Sequence, residues 1–451
     1  MYMYKGENCM KRPISKAVCI LSALLAVSAC SQPTETSNPS PKPGARTELT
    51  FVTLNGRDND GFTDVIKQFE SANPDIKVKL EMYPYRQLLE TIEVKMGSKS
   101  KDIDILSVDA PLVANYTVKG YLEPLEPLVK GINFKDKWIK SSLDAGTYNG
   151  ALMAAPINSS SQVLYYNKDI FAEKGVTPPA ADIDKRWTWE QLADTAKKLT
   201  YDKNGDNQTD VFGFSFEQID RPYQLLALPQ SLGAQVISPN GITATGYTNS
   251  QQMIDAGKFY ADLFNASKVS PKISADLSVE YFMTGKIAML IGGPYNADKF
   301  KKANLNFGIA PHPYFQGKQI ATPTGSWHAG ISKYSAKKDA AAKFVQYLTF
   351  GEGAKIWNDK HHDVPAALDI LNEIDKDPKY NAFPDQVMRI AAYEARNTGV
   401  PRPSTPGYLE WESIVGKSFE DMKNGAEPKS TLDTAAKQID GLLKKYESLV
   451  K

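Results

Sequence analysis

At 451 residues the chain exceeds what one hydrophobic core usually supports, so its length predicts two domains. Its 53 Lys and Arg offset 52 Asp and Glu to a net charge of +1, without the basic excess that a nucleic-acid partner requires. Cysteine occurs only at Cys9, Cys19 and Cys30, which excludes disulfides, thiolate-bound zinc and cysteine nucleophiles from everything beyond residue 30.

The N-terminus reads as an export signal. Lys11, Arg12 and Lys16 precede an apolar run, 17–27, that is too short to span a bilayer and ends in Val27-Ser28-Ala29-Cys30. Small residues just before a cysteine predict a lipoprotein signal peptide over 1–29, cleavage before Cys30 and lipidation of its thiol, with Met10 as a candidate start. Residues 31–46 are rich in Ser, Thr and Pro and almost free of apolar side chains, so 30–46 reads as an extended, lipid-anchored tether.

Strand and helix patterns then alternate. Residues 49–54 read as a strand, Phe62, Val65, Ile66 and Phe69 as one helix face, 76–82 as a strand, Leu89, Ile92 and Met96 as a second helix face, and 103–108 as a strand. This order predicts an α/β lobe with a parallel sheet and ligand loops at the carboxyl ends of its strands. Next come two apolar runs, 151–157 and 163–166, separated by Asn158-Ser159-Ser160-Ser161. With no Gly or Pro to reverse the chain, they suit a crossover between two lobes better than a hairpin. Farther on, Thr188 and Gln191 have capping-box spacing, 211–216 reads as a strand, 253–264 as a helix, 287–291 as a buried apolar run, and 338–348 and 432–446 as helices.

The crossover, A-P-I followed by polar residues and then V-L-Y-Y-N-K-D-I-F, resembles that of the family 1 extracellular solute-binding proteins of ABC importers, of the maltose-binding-protein-like type. Similar segments continue at G-K-I-A-M-L-I-G-G-P-Y (285–295), F-G-I-A-P (307–311), G-S-W-H-A-G-I-S (325–332) and F-V-Q-Y-L-T (344–349), over nearly all of 47–451. The resemblance implies an α/β, two-lobe periplasmic-binding-protein type II fold with three inter-lobe crossovers, near Asn158, Ile309 and His361. Lobe 1 would comprise 47–157 and 310–360, and lobe 2 158–309 and 361–451. It further implies a monomeric, lipid-anchored extracytoplasmic receptor, not an enzyme and without a required cofactor, that binds a carbohydrate between its lobes and delivers it to the transmembrane subunits of an ABC permease.

Sugar recognition needs flat aromatic faces for the CH-rich sides of pyranose rings and planar polar groups for hydroxyls. By resemblance the aromatic candidates are Tyr295 in Gly-Gly-Pro-Tyr, Trp327 in Gly-Ser-Trp, and Trp411 in P-G-Y-L-E-W-E. Polar candidates follow predicted strands: Asn55 and Arg57 after the first, Asp109 after the third, and Asn158 and Ser160 on the crossover itself. Turn chemistry and helix capping are the plain alternatives for the Asn-Gly pair and for Asp109. Ser160 stands where the maltose-binding type has an acidic residue, Leu106 where it has a stacking Trp and Tyr295 where it has Trp, which implies a different sugar.

Asp202, Asn204, Asp206, Gln208 and Asp210 place oxygens at the alternating positions of a calcium loop, Gln208 through its backbone carbonyl. The twelfth position is Gly213, not the bidentate Glu of an EF-hand, and a solvated Asx-turn loop is the alternative to a structural calcium site. His361-His362-Asp363 lacks a spaced third ligand and reads as a polar hinge. The rival functional class is a secreted glycoside hydrolase using paired carboxylates, for which Glu217 with Asp220 or Glu410 with Glu412 could be nominated; an ABC receptor for a non-sugar solute is the other alternative.

Overall fold

The burial pattern of the first elements follows their periodicity. In β1 (Thr47–Leu54) Leu49, Phe51 and Val52 are buried, and α1 (Asp60–Ala72) turns Phe62, Val65 and Phe69 inward. The next strand, β2 (Ile76–Tyr83), alternates buried Ile76 and Val78 with exposed Lys77 and Lys79, as an edge strand covered on one face does. In α2 (Tyr85–Gly97) the buried ridge is Leu88, Ile92 and Met96, so it starts one residue before the Leu89 expected, at a strict four-residue step. These elements belong to a computed structural model that describes residues 46–55, 60–325, 327–361 and 363–450. Cys30 and Arg57 lie outside the described residues.

Beyond β3 (Ile105–Asp109) and β4 (Leu122–Glu123), the chain enters β5 (Ala154–Pro156) and β6 (Val163–Asn167). The expected capping box opens α3 (Trp189–Lys198): Thr188 Oγ1 accepts the Gln191 N–H at 3.2 Å, and Gln191 Oε1 accepts the Thr188 N–H at 2.9 Å. The order continues with β7 (Phe212–Phe216), α4 (Gln251–Phe264), β8 (Ile287–Gly292), β9 (Phe307–Ala310), β10 (Thr322–Thr324) and β11 (Trp327–Ser332). Last come α5 (Lys338–Thr349), α6 (Glu352–His361), α7 (Gln386–Asn397), β12 (Gly399–Pro401), α8 (Tyr408–Lys423) and α9 (Pro428–Leu443).

Two sheets organise these elements. The first has the order β2-β1-β3-β11-β4, with β5 also on β11; β1 is parallel to β2 and β3, and β11 is antiparallel to β3, β4 and β5. The second has the order β9-β6-β8-β7, with β7 and β8 parallel and β6 antiparallel to both its neighbours. Because β5 and β6 lie in different sheets, residues 157–162 form a crossover, as the turn-free polar linker predicts. The chain returns over 311–325, between β9 and β11. It leaves again after α6, where Trp357 lies against Phe62 of α1, and α7 then adds Ile390 and Ala391 to the core beneath β6 and β8. One apolar cluster runs from Val52 and Leu106 to Phe214 and Trp411, and residues 46–451 form one compact unit.

Two histidines are sealed into this interior. His328 of β11 donates through Nε2 to Ser142 O at 3.0 Å, beside Gly146, where a Cβ would stand 2.2 Å from Ala154 O. His312 donates through Nδ1 to Pro313 O at 2.9 Å and lies near the buried Arg186–Glu394 pair. Burial holds His328 down to about 4, and burial with the neighbouring Arg186 charge holds His312 down to about 3. Both depressed values favour the neutral imidazole in the fold, whereas the unfolded chain takes up protons near pH 6.5. The stability they contribute is therefore complete above about pH 6.5 and is lost as pH falls toward 4 and then 3. Denaturant unfolding is expected to show a loss of about 1–2 kcal/mol per imidazole between pH 6.5 and 5, with a shallower slope in His328→Gln; identical slopes in the two proteins would refute the assignment.

Candidate ligand-binding site

Strand order brings three side chains together at one end of the first sheet. Tyr85 follows β2, Asp109 ends β3, and Trp327 begins the antiparallel β11 in direct register with Asp109. The Tyr85 hydroxyl is 3.4 Å from Asp109 Oδ2, and its ring meets Trp327 edge-on, with centroids 6.1 Å apart and planes at 80°. Burial raises the Tyr85 pKa and the Asp109 charge adds to it, so this phenol stays a hydrogen-bond donor.

The carboxyl ends of β7 and β8 supply the opposing groups. Glu217 follows β7, and its Oε2 accepts from the Gly293 N–H at 3.1 Å, the Tyr295 hydroxyl at 3.0 Å and Gln224 Nε2 at 3.2 Å. That carboxylate thus shapes the Gly-Gly-Pro-Tyr turn. From Gln224 the hydrogen bonds continue to Gln162 Oε1 at 3.1 Å, from Gln162 Nε2 to the Tyr223 hydroxyl at 3.0 Å, and from Tyr223 to Ser160 Oγ at 2.6 Å. Ser160 in turn accepts the Gly325 N–H and donates to the Gly325 carbonyl, at 2.7 and 2.9 Å. Both glutamines are fully buried, and their partners complete one another, which is the condition for a buried amide not to destabilise.

Arg402 closes the cluster. It follows β12, which pairs in parallel with β10, so Arg402 lies beside Gly325 just beyond β10. Both of its terminal nitrogens meet the Asp109 carboxylate, and the two side chains are 6% and 7% exposed. The guanidinium also lies 5.1 Å from the Tyr223 ring centroid and 5.6 Å from that of Tyr408. A Cβ on Gly325 would stand 3.2 Å from Ser160 Oγ and 3.3 Å from Arg402 Nη2, so glycine is what lets the three segments converge. Two parts of the chain, 325 and 402, meet a third, 160, in one place.

Residues 55–355 match the sequence model of a family described as bacterial extracellular solute-binding proteins. The chain belongs to that family. It is 25% identical over 437 residues to a galactooligosaccharide-binding protein of Bacillus subtilis, spanning 94% of this chain and 96% of that one. An sn-glycerol-3-phosphate-binding periplasmic protein of Salmonella paratyphi A is 26% identical over 85% of this chain and 90% of its own. Among solved structures, an ABC substrate-binding protein of Listeria monocytogenes in complex with cycloalternan superposes with a TM-score of 0.74 at 27% identity, covering 88% of this chain and 99% of that one. Both the family and the superposition agree with the two-lobe periplasmic-binding-protein type II fold.

In this solute-binding protein the residues singled out from sequence fall in different places. Asp109, Ser160, Trp327 and Tyr295 belong to the cluster, with Trp327 and Tyr295 half-buried. Asn158 is buried just behind it: its Oδ1 accepts the Trp327 N–H at 2.8 Å and its Nδ2 donates to Asp363 Oδ2 at 3.1 Å. Asn55 directly follows β1, is exposed, and donates its N–H to Tyr83 O. Trp411 does not reach the cluster surface. It is fully buried on the inner face of α8, where Nε1 donates to Thr248 Oγ1 at 3.1 Å and its ring stacks on Tyr408. His361 stacks on Trp357 at 4.2 Å and Asp363 accepts from Asn158, so the described residues of that motif are engaged in packing and in the crossover contact.

Tyr85, Tyr223, Arg221 and Arg402 of this cluster carried no sequence assignment, and Glu412 was singled out only as half of an acid pair. Tyr223 and Arg221 lie just after β7, where the strand-end rule would have found them; Arg402, between two prolines, carried no such signal. The nominated acid pairs have other work. Glu217 orders the Tyr295 turn, Glu412 accepts from Arg221 and Tyr408, and Glu410 pairs with Lys445. In the 202–210 loop, Asp202 accepts from the backbone N–H groups of Asn204, Gly205 and Asn207, and Asp210 from those of Lys203 and Asn204. Among the described residues, no three His, Cys, Asp or Glu side chains gather as a metal site.

Trp411→Ala is expected to lower stability by about 3–5 kcal/mol, as removal of a buried indole does, and Trp327→Ala by clearly less. Equal losses in urea unfolding would contradict the two placements. The 202–210 loop is expected to behave as an Asx-turn loop, with a melting temperature unmoved by millimolar calcium or by chelator; a rise with calcium that chelator reverses would show a bound cation.

Proposed function

We propose that this protein is the substrate-binding component of an ABC sugar importer and that it takes an oligosaccharide at the junction of its two sheets. The observation that carries this reading is the cluster's composition. Tyr85, Trp327, Tyr223 and Tyr295 offer aromatic faces, and Asp109, Arg402 and Glu412 offer ordered hydrogen-bonding groups between them. Rings of this kind cover the CH-rich faces of sugars, while planar charged groups reach the hydroxyls from the side. Relatives support it: one is named for galactooligosaccharides, and the Listeria structure contains cycloalternan.

Delivery follows from the architecture. The ligand draws together loops from both sheets, and the three crossovers between them bend as the halves close. The closed form docks on the transmembrane subunits of its permease, and the lipid on Cys30 keeps the monomeric receptor at the outer face of the membrane. Its relatives are binding proteins, and the carboxylates of the cluster are engaged as positioning groups rather than facing one another across a scissile bond.

A thermal-shift screen of the chain against malto- and galacto-oligosaccharides, with amino acids and polyamines as contrasts, tests the proposal. Ligand at a hundred times its dissociation constant adds about 2.7 kcal/mol of stability. A sugar that raises the melting temperature and is recovered chemically unchanged is the expected result. Silence across the sugars would remove the carbohydrate reading, and a sugar consumed during incubation would point to a hydrolase.

A further inference from the structure

Each arginine of the cluster has a carboxylate partner. Arg402 is held bidentately by Asp109, and Arg221 Nε donates to Glu412 Oε1 at 3.2 Å, an oxygen that also accepts the Tyr408 hydroxyl at 2.9 Å. Glu217 adds a third carboxylate, connected to Tyr223 through the two buried glutamines. Three carboxylates thus stand against two guanidinium groups, and ionised carboxylates have lone pairs beyond those the guanidinium groups engage. Hydroxyl groups of a neutral ligand match them.

An anionic ligand meets the opposite situation. To reach Arg402 it must displace Asp109 from a buried bidentate contact, and it must do so beside Glu412 and Glu217. Specificity of this kind is a difference between affinities, set here by what repels the wrong ligand. Resting on the saccharide reading above, we propose that the site selects uncharged saccharides against phosphorylated or carboxylated ones, and that Asp109, by occupying Arg402, enforces the choice. Asp109 is thus a specificity-determining residue as well as a hydroxyl acceptor. Free of its partner, Arg402 is a buried guanidinium between two tyrosine rings, an arrangement suited to an oxyanion.

The test is calorimetric titration of the full chain with malto- and galacto-oligosaccharides, each beside its aldonate, and with sn-glycerol 3-phosphate. Wild type is expected to bind the charged probes at least about 100-fold more weakly than the best neutral sugar. In Asp109→Asn that ratio is expected to fall at least about tenfold, with sn-glycerol 3-phosphate gaining affinity outright. If that variant does not fold, Arg402→Gln replaces it. There Asp109 is bare, so the charged probes are expected to remain excluded, and their binding would overturn the proposal. Equal binding of neutral and charged probes by wild type, or an unchanged ratio in Asp109→Asn, would overturn it while leaving the saccharide reading in place. Binding of no sugar, neutral or charged, would remove both.

Discussion

All three passages of the chain between the sheets meet at Asn158. Its side chain holds the Trp327 N–H from the second passage and Asp363 from the third, while it lies on the first. Around it the Ile157 N–H donates to Trp327 O at 2.8 Å and the Ser159 N–H to Val364 O at 2.7 Å. A buried amide with both of its ends satisfied by different segments fixes their mutual register, because leaving either end unpaired would cost about 1–3 kcal/mol. One side of the candidate cluster is positioned from this knot: Ser160 two residues on, Gly325 two residues before Trp327, and Tyr223 through Ser160.

Each guanidinium of the cluster has a carboxylate beside it. Burying Arg402 or Asp109 alone would be strongly unfavourable, and as a bidentate pair flanked by two aromatic rings they are tolerated. Such pairs contribute little net stability compared with apolar side chains of the same size. Their contribution is orientation, since a guanidinium and a carboxylate locked in one plane present their remaining groups at fixed angles. The same holds for Glu217, which places the Tyr295 ring through a hydroxyl contact and a backbone contact at once.

Elements with a clear period were legible in the chain: the alternation of β2, the all-apolar β8, the capping box of α3 and the crossover between β5 and β6 all follow from local residue order. The positions of Tyr295 and Trp327 at strand ends were legible through the glycines beside them. The Asp109–Arg402 contact was not, because 293 residues separate its partners and local pattern carries no information at that distance. For Trp411 the signal was present and outweighed. Tyr408, Trp411, Val415, Phe419 and Met422 recur every three or four residues, and this spacing marks the buried stripe of a helix. Periodicity of that kind outranks an analogy of position.

One strand has a consequence for how the molecule is made. In the first sheet β11 separates β3 from β4, yet it is synthesised more than 200 residues after either of them. Until Ser332 has been added, Ile105 and Leu106 have no neighbour on that side and β4 has nothing to pair with. Pairing at such sequence separation is slow, because a long loop must close before any contact rewards it. The amino-terminal half of a nascent chain is therefore an open, incomplete sheet for most of translation.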